Sequence, residues 1–201
     1  MTVTAIVPVD KRKCKVFLGE DFAFVLYKSE AARFHIEEEN DLSEQTYEKI
    51  KEEILLKRAR DRALYLLQSQ GRTKAEMIQK LQKDGYPDDV IREVMSFLEE
   101  YHFVDDSSYT ENYIHVNKSR KSPRHIVFEL QKKGGDKDTI SRMLEEAPIN
   151  EDDTVRALLK KKTGGQIPAD WKERQKLADF LGRKGFSFDV IQRVLRESTD
   201  D

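Results

Sequence analysis

The chain has 201 residues, of which 38% are hydrophobic and 37% charged, and its formal net charge is −2. That is little core material for one compact globule, yet apolar residues recur at helical spacing along most of the chain, which excludes long disorder and favours small helical units that bury their cores against neighbours. The near-neutral balance excludes a protein drawn as a whole to nucleic acid or membrane, and the single cysteine, Cys14, excludes an internal disulfide framework and favours a reducing compartment.

The first residues lack the basic and then apolar segments of a signal peptide. No apolar run nears the roughly 20 residues that span a bilayer, so a cytoplasmic protein without membrane contact is expected. Segments 3–9, 15–18 and 22–27 are short and rich in β-branched and aromatic residues. With Gly19-Glu20-Asp21 as a hairpin loop, they predict a small three-stranded antiparallel sheet, too small to stand without a helix packed on it. A short helix is expected over 29–34. Ser43 is a candidate N-cap for a charged helix that runs without Gly or Pro to Ser69, with Tyr47, Ile50, Ile54 and Leu55 at helical spacing. That stretch is either one long helix or two joined by a bend near Lys57.

A repeat follows. Leu81-Gln-Lys-Asp-Gly85 recurs as Leu130-Gln-Lys-Lys-Gly134 and as Leu181-Gly-Arg-Lys-Gly185, with the glycines 49 and 51 positions apart. Met77, Ile126 and Leu177 stand four residues before each Leu. Val90-Ile91, Thr139-Ile140 and Val190-Ile191 follow each Gly, and then Val94-Met95, Met143-Leu144 and Val194-Leu195. The Leu buries a helix face, and the Gly takes the left-handed conformation that ends the helix. The apolar pairs after it form the inner stripe of another helix. Start signals precede each Leu: Thr73 with Glu76 as a capping box, Ser122-Pro123, and Asp170 with Glu173.

A first helix completes each unit. Its stripes are Ala59, Ala63, Leu66 and Leu67 in the first, Tyr109, Tyr113 and Val116 in the second, and Val155, Leu158 and Leu159 in the third. A longer connection over 160–168, with Gly164-Gly165, is expected to be mobile. The chain therefore reads as mainly α: an N-terminal sheet plus charged helix (1–57), then three tandem three-helix repeats (58–105, 106–149 and 150–201) in an elongated array. The aromatics are expected to pack cores or contacts between units rather than to serve as binding platforms: Tyr86, Phe97, Tyr101 and Phe103 in the first repeat, Tyr109, Tyr113 and Phe128 in the second, and Trp171, Phe180, Phe186 and Phe188 in the third.

The repeats and the junction Val104-Asp-Asp-Ser-Ser-Tyr109-Thr110 resemble those of the RecX family of regulators of bacterial recombination. The second repeat is most similar, through Tyr109, Tyr113, Arg120, Lys121, Ile126, Glu129-Leu130 and Lys132-Lys133-Gly134. The sheet-bearing extension resembles family forms from low-GC Gram-positive bacteria. The chain departs from the family pattern at Ser122-Pro123, where Gly is frequent, and at Gly135, where an apolar residue is usual. The resemblance implies a protein that binds the RecA recombinase and its filament on single-stranded DNA, and that limits assembly, ATP hydrolysis and strand exchange; a monomer is expected.

Charge offers a contact surface. Between 118 and 137, seven Lys and Arg stand against Glu129 and Asp136. Arg120, Lys121, Arg124, Lys132 and Lys133 are the candidate partner-binding residues, for an acidic filament surface or DNA phosphates; a solvated helix face is the other reading. Nothing points to an enzyme or a cofactor. His35, His102, His115 and His125 lack metal-ligand spacing, and the Gly-Gly pairs lack a phosphate-loop context. The pairs Asp88-Asp89, Asp105-Asp106 and Asp152-Asp153 fall at predicted helix starts, where acids favour the exposed N–H groups. Lys13 and Lys15 would lower the Cys14 pKa, but no base accompanies it. Two other classes remain. A helix-turn-helix DNA reader would use Arg92, Arg142 and Gln192-Arg193. The other is a helical-repeat adaptor for protein partners.

Overall fold

A computed structural model describes residues 1–197, with 21 and 22 as backbone. The protein is mainly helical and opens on a small antiparallel sheet. It divides into two compact units, Met1–Asp105 and Asp106–Asp201.

In the first unit, β1 (Val3–Pro8), β2 (Lys13–Leu18) and β3 (Asp21–Tyr27) pair in sequence order, each antiparallel to the next. Val16 lies opposite Ile6 on one side and Phe24 on the other. Alternation puts Cys14 and Val16 of β2 and Phe24 and Leu26 of β3 in the interior. Gly19, at φ 64°, turns the β2–β3 hairpin. After α1 (Lys28–Arg33), the helical stretch is continuous: α2 (Glu44–Ile50), a wider π-helical turn (Lys51–Leu55) and α3 (Leu56–Ser69). Ser43 caps it by accepting from the Thr46 N–H at 3.0 Å. The irregularity is thus the π turn rather than a bend at Lys57. Lys51 opens that turn, with Nζ 3.4 Å from Asp89 and 3.7 Å from Glu48.

The helices α4 (Lys74–Lys83) and α5 (Asp88–Glu100) complete the first repeat. One apolar core runs from Val3 of the sheet through Ile50, Ala59 and Leu81 to Leu98. The sheet therefore has no core of its own, as expected for three strands. Polar ties cross the same boundary: Arg58 donates to Glu30, and the Tyr47 hydroxyl donates to Asp89 at 3.0 Å.

The second unit holds α6 (Asp106–Asn117), α7 (Pro123–Lys132) and α8 (Lys137–Glu146), then α9 (Glu151–Thr163), α10 (Trp171–Gly182) and α11 (Phe188–Glu197). The second repeat centres on Ile114, Ile126, Leu130 and Ile140. The third centres on Val155, Leu159, Leu177, Leu181, Ile191 and Val194.

The repeat signature has one geometry in all copies. Gly85, Gly134 and Gly185 lie at φ 86°, 89° and 87°. The N–H of the following residue turns back onto the carbonyl of the repeat Leu: Tyr86 onto Leu81 at 3.2 Å, Gly135 onto Leu130 at 2.9 Å, and Phe186 onto Leu181 at 3.4 Å. Each Leu thus fills the core with its side chain and closes the helix end with its carbonyl. The unusual Gly135 has a steric reason. A Cβ there would lie 3.0 Å from Ile140 Cδ1 and 3.0 Å from the Leu130 oxygen. Ile140 occupies the space that an apolar side chain would take.

Three expectations need correction. Several aromatics placed in cores are exposed: Trp171 (72%), Phe188 (71%), Phe128 (61%), Tyr101 (60%) and Phe103 (49%). Each stands off the buried stripe of its helix or past its end, where pattern reading credits hydrophobicity without phase. In α6 the buried positions are Thr110 and Ile114, one residue on from the expected stripe, and Val116 is exposed. Finally, α9 continues through Thr163 and ends at left-handed Gly164, so its connection to α10 starts later than residue 160.

Candidate partner-binding surface

The basic segment of the second repeat is built around α7. Ser122, fully buried, caps it by accepting from the His125 N–H at 3.2 Å, and Pro123 occupies the first helical position. Ile126 and Leu130 face the core. A helix repeats its face at every third or fourth residue, so Arg124, Phe128 and Lys132 share a stripe away from that core. All three are exposed, and so is Arg120 in the preceding turn.

Lys121 and Lys133 behave differently. Both are partly buried. Lys121 Nζ lies 5.5 Å from the Tyr113 ring centroid, and Lys133 Nζ lies 5.6 Å from that of Tyr109. The two tyrosine rings stack with centroids 6.2 Å apart. A lysine thus flanks each end of a tyrosine pair, an arrangement that stabilises the cations over the ring faces. Lys121 also donates to Glu129, and the Tyr113 hydroxyl donates to the same carboxylate oxygen at 2.6 Å. The five candidates therefore divide: Arg120, Arg124 and Lys132 point charge outward, while Lys121 and Lys133 tie α6 to α7.

Electrostatics supports that division. Burial opposes ionisation of Glu129, but the hydrogen bonds from Lys121 and Tyr113 and the charge of Lys121 hold its carboxyl below the usual range. Burial disfavours the Lys121 cation too, yet Glu129 and Tyr113 hold its pKa above the ordinary value. Burial, then the bond to Glu129, pushes the Tyr113 phenol up. A carboxyl lowered on folding adds stability that is present above its unfolded pKa and is lost as pH falls through the folded one. The second unit should therefore weaken below about pH 4. The gap in thermal midpoint between the wild type and Glu129→Gln should narrow as pH falls from 7 toward 3; a gap that stays constant over that range would show that the carboxylate charge plays no part.

Chemistry elsewhere is sparse. Among the described residues, no group of three or more His, Cys, Asp and Glu is placed to hold a metal. Cys14 is 2% exposed, and burial pushes its thiol pKa up. That reverses the effect expected from Lys13 and Lys15, because a strand turns its successive side chains to opposite faces. The acidic pairs sit in first turns: Asp88-Asp89 on α5, and Asp152-Asp153 on α9. Phe128 is the surface residue that sequence reading missed. Its position two residues past Ile126, off the core phase, was the available signal.

Comparison with known proteins places this surface in context. Residues 59–98 match the model for the first three-helix domain of RecX, and residues 150–195 match that for the third. The regulatory protein RecX of Bacillus velezensis is 32% identical over 91% of this chain and 71% of its own. The chain belongs to the RecX family. The RecX of Caldanaerobacter subterraneus is 28% identical, with 97% of this chain and 98% of its own covered. A crystal structure of a regulatory protein RecX matches the fold at a TM-score of 0.57, with 21% identity and both chains covered in full. The surface around α7 lies in the repeat between the two matched domains. Among the described residues, no helix is long and apolar enough to cross a membrane.

Proposed function

We propose that this chain is a non-enzymatic regulator of homologous recombination and DNA repair. It binds a RecA recombinase and its filament on single-stranded DNA and limits filament assembly, ATP hydrolysis and strand exchange. The observation that carries this reading is membership of a family of regulatory proteins, matched at both the first and the third repeat. The protein works in the cytoplasm as a monomer, with a capped first repeat (1–57 and 58–105) and two further repeats (106–149 and 150–201, of which 198–201 lie outside the described residues). Linked repeats suit a filament because several weak contacts on one chain add through effective concentration. Arg120, Arg124 and Lys132 meet the partner, and Lys121 and Lys133 hold the helices that present them.

The test is titration into ATP hydrolysis by the recombinase on single-stranded DNA. Inhibition below one molecule per recombinase protomer is expected, and no effect at excess removes the reading. Direct binding to DNA is a second reading, favoured by exposed Phe128 between Arg124 and Lys132, where a base stacks between phosphate contacts. Salt-sensitive binding to naked DNA, with the recombinase unaffected, selects it.

A further inference from the structure

The two most exposed large apolar residues among those described, Trp171 and Phe188, belong to one repeat. Trp171 opens α10 and Phe188 opens α11. A shallow groove runs between these helices: one stretch is lined by Trp171, Ala178 and Leu195, the next by Ala178, Gly182, Phe188 and Ile191. Ile191 and Leu195 are buried and form an apolar floor. Ala178 and Gly182 lower the α10 wall, so another backbone can approach closely. From Trp171 to Gly182 the wall is about 16 Å long at a rise of 1.5 Å per residue, room for three helical turns.

The rim has a sign. Among the described residues, Arg174, Arg183 and Arg196 line the groove with one carboxylate, Asp179. Arg174 is held in place, because its guanidinium donates to the Leu195 carbonyl at 2.7 Å. Exposed aromatic and arginine side chains around an apolar floor are the composition of an interface centre rather than of a solvated surface. We infer that the α10–α11 groove docks a short amphipathic helix with an acidic flank, supplied by a partner protein. The apolar face of that helix meets Ile191, Leu195 and the two aromatics, and its carboxylates meet the arginines. This site is separate from the α7 surface and does not depend on the recombinase reading.

Trp171 is the only tryptophan of the chain and reports occupancy directly. The probe is a synthetic three-turn peptide with Leu at i, i+3, i+4 and i+7 and Glu on one flank, titrated into the full-length protein. A saturable blue shift of Trp171 emission is expected. Phe188→Ala should weaken it roughly tenfold or more, the loss typical of an aromatic anchor. Arg183→Glu should weaken it as well and reverse the preference toward a Lys-flanked peptide. Both residues are exposed, so circular dichroism should report unchanged folding. No shift, an equal shift with a scrambled peptide, a shift produced instead by an oligonucleotide, or one that follows protein concentration without peptide would each overturn the assignment. None of these outcomes bears on recombinase inhibition, which is measured separately.

Discussion

Replacing Arg120, Arg124 and Lys132 together by alanine should leave the protein folded and raise the concentration for half-inhibition of recombinase ATP hydrolysis about tenfold. The three side chains are exposed, and their loss leaves the interior of the second repeat intact. Surface charge contacts contribute roughly 0.5 kcal/mol each, and three such losses amount to about a factor of ten in the binding constant. Salt dependence identifies what they meet. If the partners are single-stranded DNA phosphates, the slope of log K against log salt should fall by about 2, since each contact contributes about 0.7. Acidic protein side chains would give a weaker dependence. Lys121→Ala makes the contrast. It strips Glu129 of a half-buried partner, so the thermal midpoint should fall before any effect specific to the filament emerges. A folded triple variant that inhibits like the wild type would remove this surface from the mechanism.

Gly185→Ala should cost far more than its single carbon suggests. Gly185 lies at φ 87°, which disfavours any side chain by about 1–2 kcal/mol. Its neighbours make matters worse. An added Cβ would lie 2.5 Å from His125 Cβ and 2.6 Å from Ser122 Oγ. Neither atom can swing aside: one is fixed to the α7 backbone, and the other caps α7 from a fully buried position. The Ser122 N–H donates to the Lys184 carbonyl at 3.1 Å across the same contact. Accommodating the methyl separates the second and third repeats, and overpacking of this kind adds roughly 1–3 kcal/mol. With a total of about 2–5 kcal/mol, the unit's thermal midpoint should drop by at least about 10 °C. Exchange of the Ser122 amide hydrogen should quicken with it. Gly164→Ala is the internal control, because Gly164 is also left-handed, at φ 71°, but has nothing within 4 Å of the added carbon. Equal losses at the two positions would reduce the effect at Gly185 to backbone conformation alone.

The junction at Gly185 marks a limit of sequence reading. The repeat pattern identified Gly185 as a helix stop, which the three matching φ values bear out. It gave no sign that the same residue lets the third repeat rest on the first turn of α7. Helix stops are local: a Leu at the end of a stripe, a Gly three or four residues on and a cap upstream are all written within a dozen positions. The contact between Gly185 and Ser122 spans more than sixty positions, and periodicity carries no such information.

The candidate surface divides along the same line. Charge density alone put Arg120, Lys121, Arg124, Lys132 and Lys133 in one set. Packing separates them, because Lys121, in the turn before α7, and Lys133, at the end of α7, both reach tyrosines of α6. The aromatics follow suit: Phe97 packs against the shared core, while Tyr101 and Phe103, four and six residues later, are exposed.

By itself, the sequence determined the mainly helical class, the N-terminal sheet, the three-fold repeat, its caps and its glycine stops. These depend on short-range rules of burial period and backbone freedom. Only the tertiary structure decided that the sheet and the first repeat share one core, that two of the five basic residues brace helices, and that Trp171 and Phe188 flank an open groove. Those outcomes depend on which faces meet, a matter of long-range packing among residues that local patterns treat as equivalent.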